Sequence, residues 1–178
     1  MAIEPILRLR SCIVRPYDEA DVEQIAAKAN NPNVSRWMRN AFPCPYTVSD
    51  AKVWVAMANA ASPVVNFAIC RTDGSTFIGG IGLKAKEDIY YRTMEVGYWI
   101  SEDCWGQGIA TEVLSGFSEW VFGRFHHVLR LEAETFEANE ASGRVLQKAG
   151  FEFEGRRRKA IEKRGVVMDA MIYCRFRE

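Results

Sequence analysis

The stretch Ile100–Glu112, ISEDCWGQGIATE, is the most constraining part of this sequence because it joins a strand pattern directly to a helix pattern. The run that leads into it, MEVGYWI, alternates like a strand, and the run that follows, EVLSGFSEWVF, has apolar residues at helical spacing. Gly106 and Gly108 therefore lie where a helix begins, and the free N–H groups of a helix N-terminus attract phosphate. An isolated Gly-x-Gly is more often a plain tight turn, so both interpretations stand on this stretch alone.

The length and charge of the chain limit what it can be. Its 178 residues fit one domain, expected to span residues 1–178, with room for one large core. Lys and Arg together number 23, as do Asp and Glu, so the formal net charge is zero. A balanced charge gives no overall attraction to nucleic acid or to an anionic membrane. We therefore expect neither as a partner.

The cysteines and the N-terminus indicate the compartment. The five cysteines are scattered and form no CxxC pair; they are Cys12, Cys44, Cys70, Cys104 and Cys174. Such a set argues against a zinc site and a disulfide framework, so we expect no metal and a cytoplasmic protein with reduced thiols. The start, MAIEPILRLR, lacks the parts of a secretion signal, and no apolar run approaches the roughly 18 residues of a membrane span.

Periodicity predicts strands and helices in alternation, without repeats or linkers. The first half reads as the strand CIVR, a helix in DEADVEQIAAKAN, a loop with one short helical turn in NNPNVSRWMRNAFPCPY, the helix SDAKVWVAMANA, and two strands around Asp73-Gly74. Thr47 or Ser49 is the expected cap of the second helix. The second half reads as the strand YRTMEVGYWI, a helix over 108–122, the strand LRLEAETF, the helix EASGRVLQKAG, and two strands around KRG.

Two nucleotide-binding motifs can be tested against the glycine loop. A dinucleotide fingerprint requires GxGxxG, but the sixth position counted from Gly106 is Thr111. A P-loop requires Gly-Lys followed by Ser or Thr, and the sequence contains no such run. Both motifs are therefore disfavoured.

Two long stretches together resemble a known family. They resemble the acetyl-CoA-binding core of the GNAT N-acetyltransferase superfamily, and they read MEVGYWISEDCWGQGIATEVLSGFSEWVF and LEAETFEANEASGRVLQKAGFEFEGR. Within this superfamily the chain resembles the ribosomal-protein N-terminal (alanine) acetyltransferase branch. The motifs that carry this resemblance are E-x-GYWI, WGQG-x-A-TE, N-x-x-S-x-R-V-L-x-K-x-GF, and a final G-x-x-R followed by G and D-x-x-x-Y. They span most of residues 92–176. The resemblance implies a GNAT-like α/β fold: a mixed sheet of about seven mostly antiparallel strands, a central splayed parallel pair, and helices on both faces.

The resemblance assigns the glycine loop to the pyrophosphate of coenzyme A. Most superfamily members begin this loop with Gln or Arg, whereas this chain has a tryptophan there. Backbone N–H groups do most of the holding, so an aromatic residue should not abolish binding. The implied loop residues are Trp105, Gly106, Gln107, Gly108, Ile109, Ala110 and Thr111.

The resemblance also implies where acetyl-CoA lies, namely between strands 94–100 and 129–136, with its pantetheine arm paired to backbone like an added strand. Backbone groups of Tyr98, Trp99 and Ile100 would hold that arm, although the Tyr98 side chain could equally be core. Asn139 and Ser142 occupy the cofactor-contacting positions of the following helix. Helix capping explains Asn139 equally well.

The implied reaction is attack of an amine on a thioester, in a ternary complex. Glu95 is the candidate base, acting through water; the alternative is a structural carboxylate paired to an arginine. Many members use a tyrosine acid seven residues after the helix asparagine, but that position is Leu146, so Ser142 is the substitute. A covalent route through Cys104 is disfavoured because no histidine lies near it in sequence.

The two histidines and the basic run near the C-terminus give weaker indications of function. His126 and His127 fall in a turn after a helix, where cationic side chains are favoured without any catalytic role. The basic run GRRRKAIEKRG could attract an acidic peptide or the 3′-phosphate, but a solvated hairpin is favoured. The acceptor should be chosen by this hairpin and by loop 31–46, which carries Trp37, Phe42 and Tyr46 unless these are core.

The most favoured acceptor is a protein or peptide N-terminal α-amine, with the chain acting as a monomer or homodimer. Two alternatives remain from sequence: an enzyme for a small amine such as a polyamine, amino acid or antibiotic, and a catalytically silent acyl-CoA sensor. No motif in the sequence separates the acceptors.

Overall fold

The computed structural model describes residues 3–178 as eight strands and five α-helices. The strands are β1 (Leu7–Arg8), β2 (Ile13–Arg15), β3 (Asn66–Cys70), β4 (Phe77–Ala85), β5 (Thr93–Ile100), β6 (Arg130–Phe136), β7 (Glu152–Lys163) and β8 (Val166–Phe176). The helices are α1 (Val22–Ala29), α2 (Pro32–Ser35), α3 (Val48–Ala60), α4 (Ile109–Arg124) and α5 (Glu140–Lys148). Every strand and helix expected from periodicity is present.

The strands form one mixed sheet in the order β1-β2-β3-β4-β5-β6-β8-β7. β5 and β6 are parallel, with Thr93 opposite Arg130 and Glu95 opposite Glu132, while β6 and β8 and then β8 and β7 run antiparallel. This confirms the expected mixed sheet with one parallel pair. The count exceeds the expected seven by β1, a two-residue strand too short to produce a periodic pattern.

The chain forms two compact units, of which the first comprises residues 3–82 and Tyr98–Val113. α1 buries one apolar face, formed by Val22, Ile25, Ala26 and Ala29. This face shares a core cluster with Ala51, Val55 and Ala58 of α3. Thr47 rather than Ser49 caps α3, because its hydroxyl accepts from the Asp50 N–H at 3.2 Å while the Asp50 carboxylate accepts from the Thr47 N–H at 2.8 Å.

A buried ion pair fixes the start of this first unit. Arg15 and Asp21 are only 5% and 2% exposed. The Arg15 Nη1 and Nη2 atoms donate to the two Asp21 oxygens at 2.8 and 2.7 Å, and Nε and Nη2 donate to the Gly74 carbonyl at 3.2 and 3.0 Å. This two-point geometry joins β2, the entry to α1 and the β3–β4 turn.

The second unit comprises Leu83–Gly97 and Leu114–Glu178. Its sheet face beside α5 is closely packed at Gly143, where an added Cβ would lie 2.6 Å from the Tyr173 hydroxyl oxygen. β7 and β8 form the predicted hairpin, whose turn holds Arg164 and Gly165 at φ +53° and +77°. Within residues 3–178, no helix is long and apolar enough to cross a membrane.

We predict that Asp21→Ala lowers the free energy of unfolding by about 3 kcal/mol, because it leaves the buried Arg15 guanidinium without its carboxylate. Urea denaturation measures the loss. Glu140→Ala is the matched control, since its i,i+4 pair with Arg144 lies on the surface and should contribute less than about 0.5 kcal/mol. A loss in Asp21→Ala no larger than in this control would contradict the prediction.

Candidate active site

The glycine loop has the geometry of an anion cradle. Gly106 and Gly108 have φ values of +73° and +77°, a region that only glycine adopts without strain. A Cβ at either position would meet no atom within 4 Å, so both face open space. α4 begins at the next residue, Ile109, and its first N–H groups have no partner inside the helix. The loop therefore fits the pyrophosphate that the sequence resemblance assigns to it.

Trp105 explains how the loop keeps its shape without the usual Gln or Arg. Its indole N–H donates to the Ile100 carbonyl at 2.7 Å, which ties the loop back to the end of β5. Gln107 donates to the Asp103 carbonyl at 3.0 Å. The Trp105 backbone N–H donates to the Glu102 carbonyl at 3.1 Å. These three bonds act within the segment and use none of the backbone N–H groups of Gly106, Gly108 and Ile109.

Polar side chains distant in sequence also hold the loop, and sequence reasoning missed them. Arg71 donates to the Gln107 amide oxygen at 3.1 Å, and Lys28 lies 2.9 Å from the Asp103 carboxylate. These contacts join residues 36 and 75 positions apart. No local pattern signals such a pairing, so the sequence offered no means of finding them.

Glu112, in the first turn of α4, is a third support that sequence reasoning missed. Its carboxylate accepts from the Arg10 N–H at 2.6 Å and from the Ser11 hydroxyl. Partial burial opposes its ionisation, but the bonds from Ser11 and Arg10 outweigh it and lower the pKa of Glu112. An ionised Glu112 thus anchors the helix that carries the cradle.

The end of β5 is closely packed against its surroundings in the first unit. The Trp99 ring lies 5.7 Å from Phe42 and 5.6 Å from Phe77, measured between ring centroids. Ile100 is buried, whereas Tyr98 is half-buried. Side-chain packing therefore fixes the position of this backbone, on which the predicted cofactor contacts depend.

The aromatic residues of loop 31–46 differ in accessibility. Tyr46 is 7% exposed and belongs to the core, where burial raises its pKa to about 12. Phe42 packs beside it, 5.0 Å away, while Trp37 is half-buried under the Arg36 guanidinium at 4.8 Å. The core interpretation weighed from the sequence thus holds for Tyr46. Acceptor contact by Trp37, Phe42 and Tyr46 stays a prediction.

In the second unit, Glu95 is half-buried on β5 at the last position paired with β6. Its register partner Glu132 is 7% exposed and lies 2.7 Å from Lys86 and 3.2 Å from Arg130. Burial would raise the pKa of Glu132, but the bonds from Lys86 and Arg130 lower it overall. Glu132 is therefore a structural carboxylate that sequence reasoning missed. Nothing lies within 4 Å of a Cβ built at Gly97, two residues beyond Glu95.

Asn139 caps α5, because its side-chain oxygen accepts from the Ser142 N–H at 3.3 Å. The capping interpretation is thus confirmed, and the cofactor contacts of Asn139 and Ser142 stay predictions. Ser142 is half-buried in the first turn of the helix. Leu146, which replaces the tyrosine acid of many superfamily members, is fully buried in the core.

The groups with weaker assignments are largely engaged elsewhere. Cys104 is buried, and both histidines lie in the turn after α4, where His127 stacks on Tyr91. In the basic hairpin, Arg156 pairs with Glu137 at 2.8 Å and Arg157 with Glu134 at 3.4 Å. Among residues 3–178, no group of three or more His, Cys, Asp or Glu side chains could hold a metal ion.

Comparisons with known proteins agree with this geometry. The family profile described as "Acetyltransferase (GNAT) domain" matches residues 12–152. The chain is similar to the uncharacterized N-acetyltransferase YoaA of Bacillus subtilis (strain 168), with 31% identity over 171 residues that cover 95% of each chain.

Three solved structures share the fold. The first is RimL, a ribosomal L7/L12 alpha-N-protein acetyltransferase in complex with coenzyme A, with a TM-score of 0.81 and 21% identity over 97% of this chain and 98% of that one. The second is Mycobacterium smegmatis RimJ in complex with CoA-disulfide, with a TM-score of 0.82 and 22% identity over 98% of this chain and 86% of that one. The third is the microcin C7 self-immunity acetyltransferase MccE in complex with acetyl-CoA and AMP, with a TM-score of 0.82 and 17% identity over 98% of each chain. At these identities the similarity concerns the fold alone, and it confirms the expected GNAT-like architecture.

We predict that Gly108→Val weakens acetyl-CoA binding about tenfold or more, because a β-branched side chain strains the positive φ and fills the space over the loop. Titration calorimetry measures the Kd. Gly165→Val is a matched control, since Gly165 also has a φ of +77° and open space around its Cβ position but lies in the β7–β8 turn. A folded Gly108→Val protein with unchanged affinity would refute the cradle.

Proposed function

Since the chain belongs to the GNAT acetyltransferase family and is an acetyl-CoA-dependent N-acetyltransferase, we propose that its acceptor is the α-amine at the N-terminus of a protein or peptide. We include in this proposal that residues 1–178 act as one acetyltransferase domain. The family match over residues 12–152 supports this, because it includes parts of both compact units.

The observation that carries the proposal is the placement of Glu95. This carboxylate is half-buried on β5, at the last residue paired with β6, and two residues before the open position at Gly97. The neighbouring Glu132 is held by Lys86 and Arg130, so its charge is committed to the structure. Glu95 also occupies the position of the glutamate in the E-x-GYWI motif, and on this placement we assign it as the base.

A carboxylate base suits an α-amine acceptor better than a lysine acceptor. A peptide α-amine with a pKa of about 7.7–8.0 loses its proton near pH 7 for roughly 1 kcal/mol, whereas a lysine at about 10.4 requires about 4–5 kcal/mol. A carboxylate acting through water is a modest base, and it suits the acceptor whose deprotonation costs less free energy. The chemistry of the base therefore favours a peptide N-terminus.

When bound, acetyl-CoA supplies the thioester whose acetyl group is transferred. Backbone N–H groups of residues 106–111 bind its pyrophosphate, Trp105 supports this loop, and the backbone of Tyr98, Trp99 and Ile100 orients the pantetheine arm. Glu95 receives, through water, the proton that the acceptor ammonium gives up. The amine nitrogen then bonds to the acetyl carbon as the carbon–sulfur bond breaks. The nitrogen gives its remaining extra proton to the departing thiolate, so the products are the amide and free coenzyme A, and the Ser142 hydroxyl donates a hydrogen bond to the departing sulfur. Asn139 holds the start of α5, from which Ser142 projects.

Two kinds of similarity bear on the acceptor. The motifs of the ribosomal-protein N-terminal acetyltransferase branch favour a protein N-terminus, and RimL is described as an alpha-N-protein acetyltransferase. The structural neighbour MccE, described as a self-immunity enzyme in complex with acetyl-CoA and AMP, keeps a small-molecule amine as the second candidate. We further propose a cytoplasmic location, supported by five scattered cysteines without a CxxC pair, and assembly as a monomer or homodimer.

An acceptor panel tests the proposal. Purified protein is incubated with acetyl-CoA and peptides of varied N-terminus, the same peptides with a blocked N-terminus and a free lysine, polyamines, amino acids and aminonucleotides. Free thiol release reports turnover, and mass spectrometry locates the acetyl group. Acetylation of peptide α-amines supports the proposal. Turnover confined to small amines would favour the second candidate, and turnover confined to lysine side chains would refute both.

We predict that Glu95→Gln lowers kcat about tenfold to a hundredfold at pH 6.5 while leaving the acetyl-CoA Kd nearly unchanged, because the amide cannot take the proton. With an α-amine acceptor the deficit shrinks toward pH 9, where most of the amine is already neutral. Rate profiles from pH 6 to 9 measure this.

The surface substitution Glu23→Gln on α1 is the control for the loss of one carboxylate and should keep the wild-type profile. A Glu95→Gln enzyme with the wild-type rate at every pH would remove Glu95 from the mechanism. Failure of the variant to fold would instead support the structural alternative for this carboxylate.

A further inference from the structure

The turn of 3₁₀-helix Glu102–Cys104 connects the end of β5 to the cradle, and its two carboxylates have different partners. Asp103 pairs with Lys28 of α1 at 2.9 Å. Glu102 accepts two hydrogen bonds from side-chain amides: from Asn31 at 2.6 Å to one oxygen and from Asn33 at 2.8 Å to the other. Both oxygens of Glu102 are therefore used, which fixes the orientation of its carboxylate.

Asn31 and Asn33 belong to the loop that we expect to select the acceptor, residues 31–46, hereafter the acceptor loop. Asn31 is the N-cap of α2, and its side-chain oxygen accepts from the Asn33 N–H at 2.8 Å. Glu102 thus binds the amide group of the residue that starts the helical turn of the loop. At the other end of the loop, the Tyr46 N–H donates to the Asn30 side chain at 3.1 Å. Polar contacts therefore hold both ends of the acceptor loop.

From this arrangement we propose that Glu102 is a positioning residue that holds the acceptor loop against the segment leading into the phosphate cradle. The inference rests on the proposed function, because it takes residues 31–46 as the segment that contacts the acceptor. Glu102 lies four positions before Gly106, so one short rigid segment carries both the cradle and the attachment of the loop. Glu102 acts through Asn31 and Asn33, and touches neither the amine nor the thioester.

The chemistry of the contact explains why a carboxylate is needed. Two amide N–H donors converge on one side chain, and only a carboxylate offers an acceptor oxygen to each. Asn31 and Asn33 donate to different oxygens, so a glutamine in the same orientation would keep one bond and turn its NH₂ group toward the other asparagine. We therefore expect a graded series in which Glu102→Gln loses one bond and Glu102→Ala loses both.

Steady-state kinetics with the best acceptor of the panel test the proposal. At saturating acetyl-CoA, the acceptor KM should rise about two- to fourfold in Glu102→Gln and about three- to tenfold in Glu102→Ala, the range that the loss of single hydrogen bonds predicts. The kcat and the calorimetric Kd of acetyl-CoA should stay within about twofold, because the loss concerns binding of the acceptor alone. Glu23→Ala removes an exposed carboxylate on α1, away from the loop and the cradle, and should leave the acceptor KM unchanged.

A double-mutant cycle distinguishes a direct interaction between Glu102 and Asn33 from a general disturbance of the structure. Asn33→Ala removes one donor without removing the Asn31 cap. If Glu102 acts through Asn33, the combined variant Glu102→Ala/Asn33→Ala should raise the acceptor KM less than the product of the two single effects. Fully multiplicative effects would overturn the proposal.

Hydrogen exchange followed by mass spectrometry gives a readout that requires no acceptor. Amides of residues 31–46 should exchange faster in Glu102→Ala than in the wild type or in the control Glu23→Ala, with or without acetyl-CoA, while α4 and α5 stay unchanged. An unchanged exchange rate in residues 31–46 would overturn the proposal that Glu102 holds the acceptor loop, even if no acceptor were found. Faster exchange with an unchanged acceptor KM would refute the positioning role, whereas wild-type protein inactive on every amine would refute the proposed function alone.

Discussion

The parallel pairing of β5 with β6 is the constraint on which the rest of the site depends. Parallel neighbours cannot be joined by a hairpin, so the chain needs a crossover of about a dozen residues or more, usually a helix. Residues 101–129 form that crossover, and α4 is its helix. Because α4 follows the carboxyl end of β5 after a few residues, its free N–H groups lie at that end, and the glycines permit the sharp turn. The anion cradle is therefore a consequence of the sheet topology.

The same pair of strands shows how one residue type serves two purposes. Glu95 and Glu132 are register partners on neighbouring strands. Glu132 is buried and bound by Lys86 and Arg130, as a carboxylate removed from water requires. Glu95 is half-buried beside a glycine with open space over it. Structural support and the proposed proton transfer are thus assigned to different carboxylates by their surroundings.

The first unit supports the cradle with side chains from several elements rather than with a single motif. Arg71 and Lys28 fix Gln107 and Asp103, and Glu112 fixes the start of α4 to the β1–β2 turn. Trp105 adds a bond to the carbonyl of Ile100. A loop held in this way keeps its amides oriented before any ligand arrives, which reduces the ordering cost of binding. This explains why one unusual residue in the loop is tolerated.

The sequence alone determined the features that depend on local order. Periodicity located the helices and strands, and the motifs of the second half identified the family, whose resemblance in turn assigned the glycine loop to the pyrophosphate. The sequence also offered the correct helix caps among its candidates, since Thr47 and Asn139 cap the helices that follow them. These features arise from residues within a few positions of one another, where backbone geometry fixes which side chains can meet.

Tertiary structure decided which distant side chains meet. Glu132 and Asp21 are buried and paired, although charged side chains are mostly exposed. The bonds from Asn31 and Asn33 to Glu102 join residues about 70 positions apart, and Tyr46 proved to be core rather than surface. Burial and long-range pairing depend on how the elements pack in space, and neither the period nor the composition of a segment encodes that arrangement.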